Sequence, residues 1–208
     1  MENNSKRFWQ RFARFYGRAM KSSDGAYDEV CQYMIPSLRR TDNVLELACG
    51  TGQLSFRLAS RVSIWEATDY AEEMIAQVPQ SARPHALHFS VQDATHLPYG
   101  NGSFDAVVIA NALHIMPDPE AALGEIHRVL KPDGILFAPT FMHEEKNGLF
   151  ARIRLKFLGL LGFRTYHKWD MEEFQDFIEK HGFTVSQSCL VQNSIAPLCY
   201  LEARPSKQ

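Results

Sequence analysis

The 208-residue chain has no strong charge surplus, no internal repeat and no low-complexity tract. Its net charge of -2 supplies no general attraction for nucleic acid or an anionic membrane. No apolar run reaches the roughly 18 residues that a spanning helix requires. The N-terminus MENNSKRFWQRFARF lacks the apolar core of a secretory signal. The four cysteines, Cys31, Cys49, Cys189 and Cys199, never form a CxxC pair. That spacing argues against a metal site and a disulfide framework. Neither do the histidines show metal-ligand spacing, so no metal is expected. These absences make a cytoplasmic, reduced protein the expectation.

What remains is an ordinary globular composition, with 45% apolar residues and enough length for one full-sized core. A single domain over 1–208 is expected. Residues 3–38 read as two helices, the first carrying Phe8, Trp9, Phe12, Phe15 and Tyr16 with Lys6, Arg7, Arg11 and Arg14 between them. Asp24 is placed to cap the second helix, which should end near Pro36. Strands and helices then alternate. The strands are expected at Asn43–Ala48, Val62–Thr68, Ala86–Val91, Phe104–Ala110 and Ile135–Thr140. The helices are expected at Gly52–Ser60, Ala71–Val78 and Pro119–Leu130, with Lys131–Gly134 (KPDG) as a turn. The run FDAVVIA is strongly apolar, of the kind found in the middle of a parallel sheet. Strands separated by single helices imply right-handed crossovers and a doubly wound α/β sheet.

After Thr140 the pattern changes. Leu149–Leu161 reads as an apolar, basic helix. Asp170–Lys180 reads as a helix with Asp170 as cap and Glu173 three residues on. Phe183–Leu190 and Ile195–Ala203 read as a hairpin at the sheet edge. The expected organisation is a helical lid (1–38), a core (39–140), an inserted cap over substrate (141–169) and a C-terminal helix and hairpin (170–208).

The stretch VLELACGTGQLS, Val44–Ser55, is the chemical signal. A small-residue turn between strand and helix commonly holds a nucleotide-like ligand. A dinucleotide turn of the form GxGxxG places pyrophosphate at the helix start. Here Ala48 stands at the first glycine position, the third is not glycine, and the Glu46 charge would repel phosphate. The GxxxxGK[ST] loop is absent too. A cationic ligand resolves the conflict. S-adenosylmethionine carries an ammonium and a sulfonium and no phosphate. Acidic residues also follow the next two strands: Asp69 in WEATDYAEEM, placed for ribose hydroxyls, and Asp93 in VQDATHLP, placed for the adenine amino group.

On these motifs the chain resembles the class I S-adenosylmethionine-dependent methyltransferases, most closely the type 11 small-molecule group that includes quinone-biosynthesis enzymes. ELACGTG, TDYAEEM, QDATHLPYGNGSFDAVV and LKPDGILF carry the resemblance, which spans roughly Tyr16–Leu201. It implies a Rossmann-like, mostly parallel seven-stranded sheet with an antiparallel C-terminal strand and helices on both faces. It implies Glu46 near the methionine ammonium and a close backbone at Ala48, Cys49, Gly50 and Gly52. It further implies Asp69 on the ribose, Tyr70 and Met74 beside the adenine, and Asp93 and Ala94 on its amino edge. Asn111 is implied near the methionine, and Tyr16 as the aromatic that closes over the cofactor.

Methyl transfer is a displacement at carbon that needs alignment and exclusion of water more than any obligatory side chain. His114 is the first candidate for a base or acceptor contact, because it follows the strand facing the methyl group; His143 and Tyr166 stand behind it. Each also has a plain packing explanation. The expected partner is a small, partly apolar methyl acceptor, not nucleic acid. Peripheral membrane contact through 1–20 or 149–164 is the alternative use of the basic aromatic segments. A phospholipid or quinone methyltransferase at the membrane surface, a nucleotide-dependent oxidoreductase and a non-catalytic cofactor-binding protein are the rival functions.

Overall fold

The structure is a computed structural model that describes residues 4–20, 23–79, 83–142, 163–192 and 196–207. The first four strands run parallel: β1 (Asn43–Leu47), β2 (Ile64–Asp69), β3 (Leu87–Val91) and β4 (Phe104–Ile109). They are followed by β5 (Leu130–Phe137), the two-residue β6 (Thr140–Phe141), β7 (Phe183–Val191) and β8 (Leu198–Pro205). The order is β3-β2-β1-β4-β5-β8, with β7 on β8 at the edge. β6 extends the line of β5 and pairs with the other end of β8. β8 is antiparallel to its neighbours β5 and β7. The described residues thus build the expected Rossmann-like sheet, with the second strand of the C-terminal hairpin inserted between β5 and β7.

The alternation of side chains along β1 and β4 explains why most of their residues are apolar, since both faces of the sheet are covered. Leu45, Leu47, Val107, Ile109 and Leu136 pack with Leu123 and Ile126 of α5 (Pro119–Val129) and Phe174 and Ile178 of α6 (Met171–Lys180). Val44, Ala106, Val108, Ile135 and Phe137 point the other way. They meet Val30 and Met34 of α2 (Asp24–Met34) and Leu58 of α3 (Ser55–Leu58). Each such fully buried side chain contributes about 1.5–3 kcal/mol. Helices therefore cover both faces, and the strand ends are left free to form a site. The first helix, α1 (Asn4–Met20), packs along α4 (Glu72–Ala76) through Ala13, Trp9 and Tyr16 against Ala71 and Met74.

Several expected boundaries move, each for a local reason. Asp24 is the first residue of α2 and not its cap; Ser23 holds the cap position, and the Asp24 carboxylate accepts from Arg57 at 2.9 Å. The helix after β1 starts only at Ser55, because Ala48, Gly50 and Gly52 all have positive φ and keep the chain in a turn. KPDG is not a free turn. Leu130 already pairs with Phe104, and Ile135 with Ala106, so residues 131–134 bulge out of a continuous strand. A Cβ at Gly134 would lie 3.0 Å from the Asp105 carbonyl, so the bulge needs glycine. The capping box of α6 forms as expected, with Asp170 accepting from the Glu173 N–H at 2.9 Å and Glu173 reaching back. The Leu149–Leu161 helix and His143 lie outside the described residues.

Candidate cofactor and acceptor site

A cavity of about 270 Å³ opens at the carboxyl ends of β1, β2, β3 and β4, where α/β sheets bind ligands. Among the expected contacts, Tyr16, Ala48, Gly50, Asp69, Tyr70, Met74, Asp93, Ala94 and Asn111 line it. These residues come from α1 and four strand ends, so only the fold makes them neighbours.

The floor is the turn after β1. Ala48 keeps the left-handed conformation with φ of 53°, at a position where glycine would carry no penalty. Such a φ costs an alanine roughly 1–2 kcal/mol, so the missing glycine is borne as strain and not as a rearranged turn. Gly50 has φ of 58°, and a Cβ there would lie 2.7 Å from Tyr16 Cε1. Its glycine makes room for the aromatic lid. The Gly50 N–H donates to Asp69 Oδ2 at 2.9 Å, and the Ala71 N–H donates to Asp69 Oδ1 at 2.8 Å. Asp69 thereby ties the first turn to the second. Burial pushes its carboxyl up to about 6, against the pull of the two N–H donors.

Three expected cofactor residues stand behind the wall instead of on it. Glu46 is buried beneath the turn, where Oε2 accepts from the Ser55 hydroxyl and, at 2.8 Å, from the Trp65 indole N–H. Burial raises its carboxyl to about 7, with Asp69 adding to the rise. Cys49 is buried, and burial holds its thiol well above the ordinary range. Gly52 has φ of 90°, and a Cβ there would meet Phe56 at 3.0 Å and Phe89 at 3.1 Å. Its glycine serves the packing of two aromatic rings.

At the far side, Asn111 follows β4 with φ of 54°. Its side-chain N–H donates to Tyr27 Oη at 3.1 Å, and its carbonyl accepts from the Phe141 N–H at 3.1 Å. Tyr27 also lies within electrostatic reach of Tyr16, which brings the lid helix beside the end of β4. Asp93 accepts from the Thr95 N–H at 2.9 Å, and its carboxylate closes a tight turn. Lys6 lies 4.5 Å from the centre of the Tyr70 ring, a cation–π contact at the rim.

His114 does not line the cavity; its neighbours Ile115 and Met116 do. Burial lowers the His114 imidazole to about 4, with His167 adding to the fall. Tyr166 is exposed and donates its N–H to the His114 carbonyl at 3.0 Å. Trp9, Gln92, Thr95, Ile115, Met116, Pro117 and Asp118 also line the cavity, beyond the expected set. Trp9 was visible only as one ring in an aromatic helix. Gln92 and Thr95 flank Asp93 in sequence, and Ile115–Asp118 follow the His114 motif.

The chain matches known proteins in this region. The family described as "Methyltransferase domain" matches residues 45–138. An uncharacterized methyltransferase of Synechocystis is 32% identical over 172 residues, covering 79% of this chain and 76% of that protein. A demethylmenaquinone methyltransferase of Thermus thermophilus is 37% identical over 124 residues, covering 58% of this chain and 56% of that protein. The structure of magnesium protoporphyrin IX methyltransferase from Synechocystis with bound S-adenosylhomocysteine superposes with a TM-score of 0.68. That pair shares 20% identity and covers 89% of this chain and 84% of the other, a likeness of fold. The chain belongs to the S-adenosylmethionine-dependent methyltransferase family. It spans 31–56% of the length of four of the curated relatives it matches.

Proposed function

We propose that this chain binds S-adenosylmethionine in the cavity over β1–β4 and transfers its methyl group to a small, partly apolar acceptor. The observation that supports this reading most is the joint placement of Gly50, Asp69 and Asp93 around one cavity. The donor set suits a cationic nucleoside without phosphate. Three carboxylates, those of Asp69, Asp93 and Asp118, line the wall, Glu46 lies behind it, and Arg and Lys are missing from the lining among the described residues. The same charges would repel a dinucleotide pyrophosphate, which weighs against the oxidoreductase rival.

The bound cofactor supplies a methyl group on a sulfonium, whose departure leaves a neutral thioether. The protein's part is to bind, orient and dry the site. Asp69 takes the ribose hydroxyls while staying tied to the Gly50 and Ala71 N–H groups. Tyr70 and Met74 flank the adenine, and Asp93 with the Ala94 backbone meets its amino edge. Glu46 acts on the ammonium from beneath the turn, through its field or a bridging water. Tyr16 and Trp9 close the cavity on the lid side, and Asn111 marks the methionine end. Ile115 and Met116 give the acceptor side an apolar wall.

Calorimetric titration of S-adenosylmethionine and S-adenosylhomocysteine into wild type and Asp69→Ala tests this. Wild type is expected to bind both, and Asp69→Ala to lose roughly 1.5–3 kcal/mol, as for hydrogen bonds to a charged group. Wild type that binds neither ligand would sink the reading. Wild type that binds both yet methylates nothing across phenols, amines and hydroquinones would make the chain a cofactor-binding protein without turnover.

A further inference from the structure

The two faces of the lid helix α1 differ in chemistry. On the inner face Phe8 and Ala13 are buried, and Trp9, Phe12 and Tyr16 are half-buried. Phe8 stacks on Phe12 with ring centroids 5.4 Å apart and meets Phe163 at 5.6 Å. Trp9 and Tyr16 pack with Ala13 against Ala71 and Met74. The exposed residues Arg7, Arg11, Arg14 and Phe15 recur at helical spacing and so share the opposite face. Phe15 is 63% exposed, more than any other large apolar side chain among the described residues.

Charge is segregated in the same way. The sequence of α1 holds five cations, Lys6, Arg7, Arg11, Arg14 and Arg18, and no carboxylate. The whole chain carries -2, so the protein outside this helix is acidic. Among the described residues, Arg11 and Arg14 make no ion pair. Arg164, next in the chain to the Phe163 that packs on Phe8, is exposed as well.

Guanidinium groups match phosphate oxygens with paired donors, while a bare phenyl ring gains by leaving water. A partner that satisfies both must offer phosphates in a plane with hydrocarbon just beneath them. We propose that the outer face of α1 docks the protein on an anionic lipid bilayer, with Arg11 and Arg14 on the lipid phosphates and Phe15 inserted between headgroups. A nucleic-acid duplex offers phosphates without accessible hydrocarbon, so Phe15 would stay in water there. A flat bilayer touches only this face, and the acidic remainder of the protein points away from it. Among the described residues no helix is long and apolar enough to cross a membrane, so this contact is peripheral. The same helix carries Trp9 and Tyr16 into the cavity wall, and Lys6 lies over Tyr70 at the rim. The cavity therefore sits about one helix diameter, roughly 10–12 Å, from the lipid surface.

Flotation of the 208-residue chain with vesicles tests this and needs no turnover. The vesicles are phosphatidylcholine alone, and phosphatidylcholine with phosphatidylglycerol in equal parts. Wild type is expected to float with the anionic vesicles, to stay in solution with the neutral ones, and to be released by high salt. Replacing both Arg11→Gln and Arg14→Gln should weaken binding on the order of 25-fold, roughly fivefold for each cation at the surface. Phe15→Ser should weaken it while leaving its salt dependence unchanged. All three side chains are exposed and none lines the cavity, so affinity for S-adenosylhomocysteine should be kept. Wild type that stays in solution with both kinds of vesicle overturns the proposal, and this comparison stands even if a variant fails to fold. A double variant that binds as tightly as wild type overturns it too, since the contact would then lie on another surface. So does a short DNA duplex bound more tightly than the anionic vesicles, which would make the face a nucleic-acid site.

Discussion

The two ends of the cavity treat their polar groups in opposite ways. At the cofactor end, Asp69 accepts from Gly50 and Ala71, and Asp93 accepts from Thr95. Glu46 accepts from Ser55 and Trp65. Behind the wall at the other end, Nδ1 of His114 and Nε2 of His167 have no hydrogen-bond partner among the described residues. The first end is built before any ligand arrives, because its charges hold its own backbone in shape. The second carries unspent hydrogen-bonding capacity.

The largest effect expected on this contrast is at the floor. Gly50→Ala must place a Cβ 2.7 Å from the Tyr16 ring at a φ of 58°. The left-handed conformation alone costs about 1–2 kcal/mol, and Tyr16 must leave its seat. Affinity for S-adenosylhomocysteine should fall on the order of 10–100-fold, at 1.4 kcal/mol per tenfold. Calorimetry reads the change; unaltered affinity would mean that the floor is not pre-shaped.

The next is a pH effect. Glu46 is raised by burial from 4.5 to about 7. A carboxyl whose folded pKa lies above its unfolded value binds its proton more tightly in the folded state. The stability this contributes is full below pH 4.5 and is lost as pH rises through 7. Glu46→Gln, which keeps a carbonyl oxygen for Ser55 and Trp65, should remove this loss. The variant should gain up to about 3 kcal/mol over wild type at pH 8 and little at pH 4.5, at 1.4 kcal/mol per pKa unit. Thermal unfolding at the two pH values tests it; parallel curves for the two proteins would contradict it.

The smallest effect is at the acceptor end. His114→Phe removes an Nδ1 that has no hydrogen-bond partner among the described residues. Replacing an unpaired polar group by an apolar one of similar shape is close to neutral, so unfolding free energy should change by less than about 1 kcal/mol. A denaturant titration showing a much larger loss would mean that the ring holds the fold together, and would blur the contrast between the two ends.

The cofactor end was the more legible of the two in the chain. VLELACGTGQLS, Asp69 and Asp93 are local signals: a strand, a turn with special φ, and a charge at a strand end. Their spacing follows from the βαβ repeat, so a doubly wound, mostly parallel sheet and nine of the cavity residues could be read in advance. Boundaries were less legible. The helix after β1 was set three residues too early, since positive φ at Gly50 and Gly52 delays it. KPDG looks like a turn in isolation, yet it bulges from a strand because Leu130 is already paired with Phe104.

The sequence alone determined the fold class, the cofactor family and the ring of small and acidic residues, because periodicity, turn chemistry and charge act over a few neighbours. Only the tertiary structure decided which of those residues line the cavity. It moved Glu46, Cys49 and Gly52 behind the wall, brought Trp9 onto it from the first helix, and set His114 against His167, 53 positions away along the chain. Burial and hydrogen-bond partnership depend on packing between distant segments, and no local pattern encodes them.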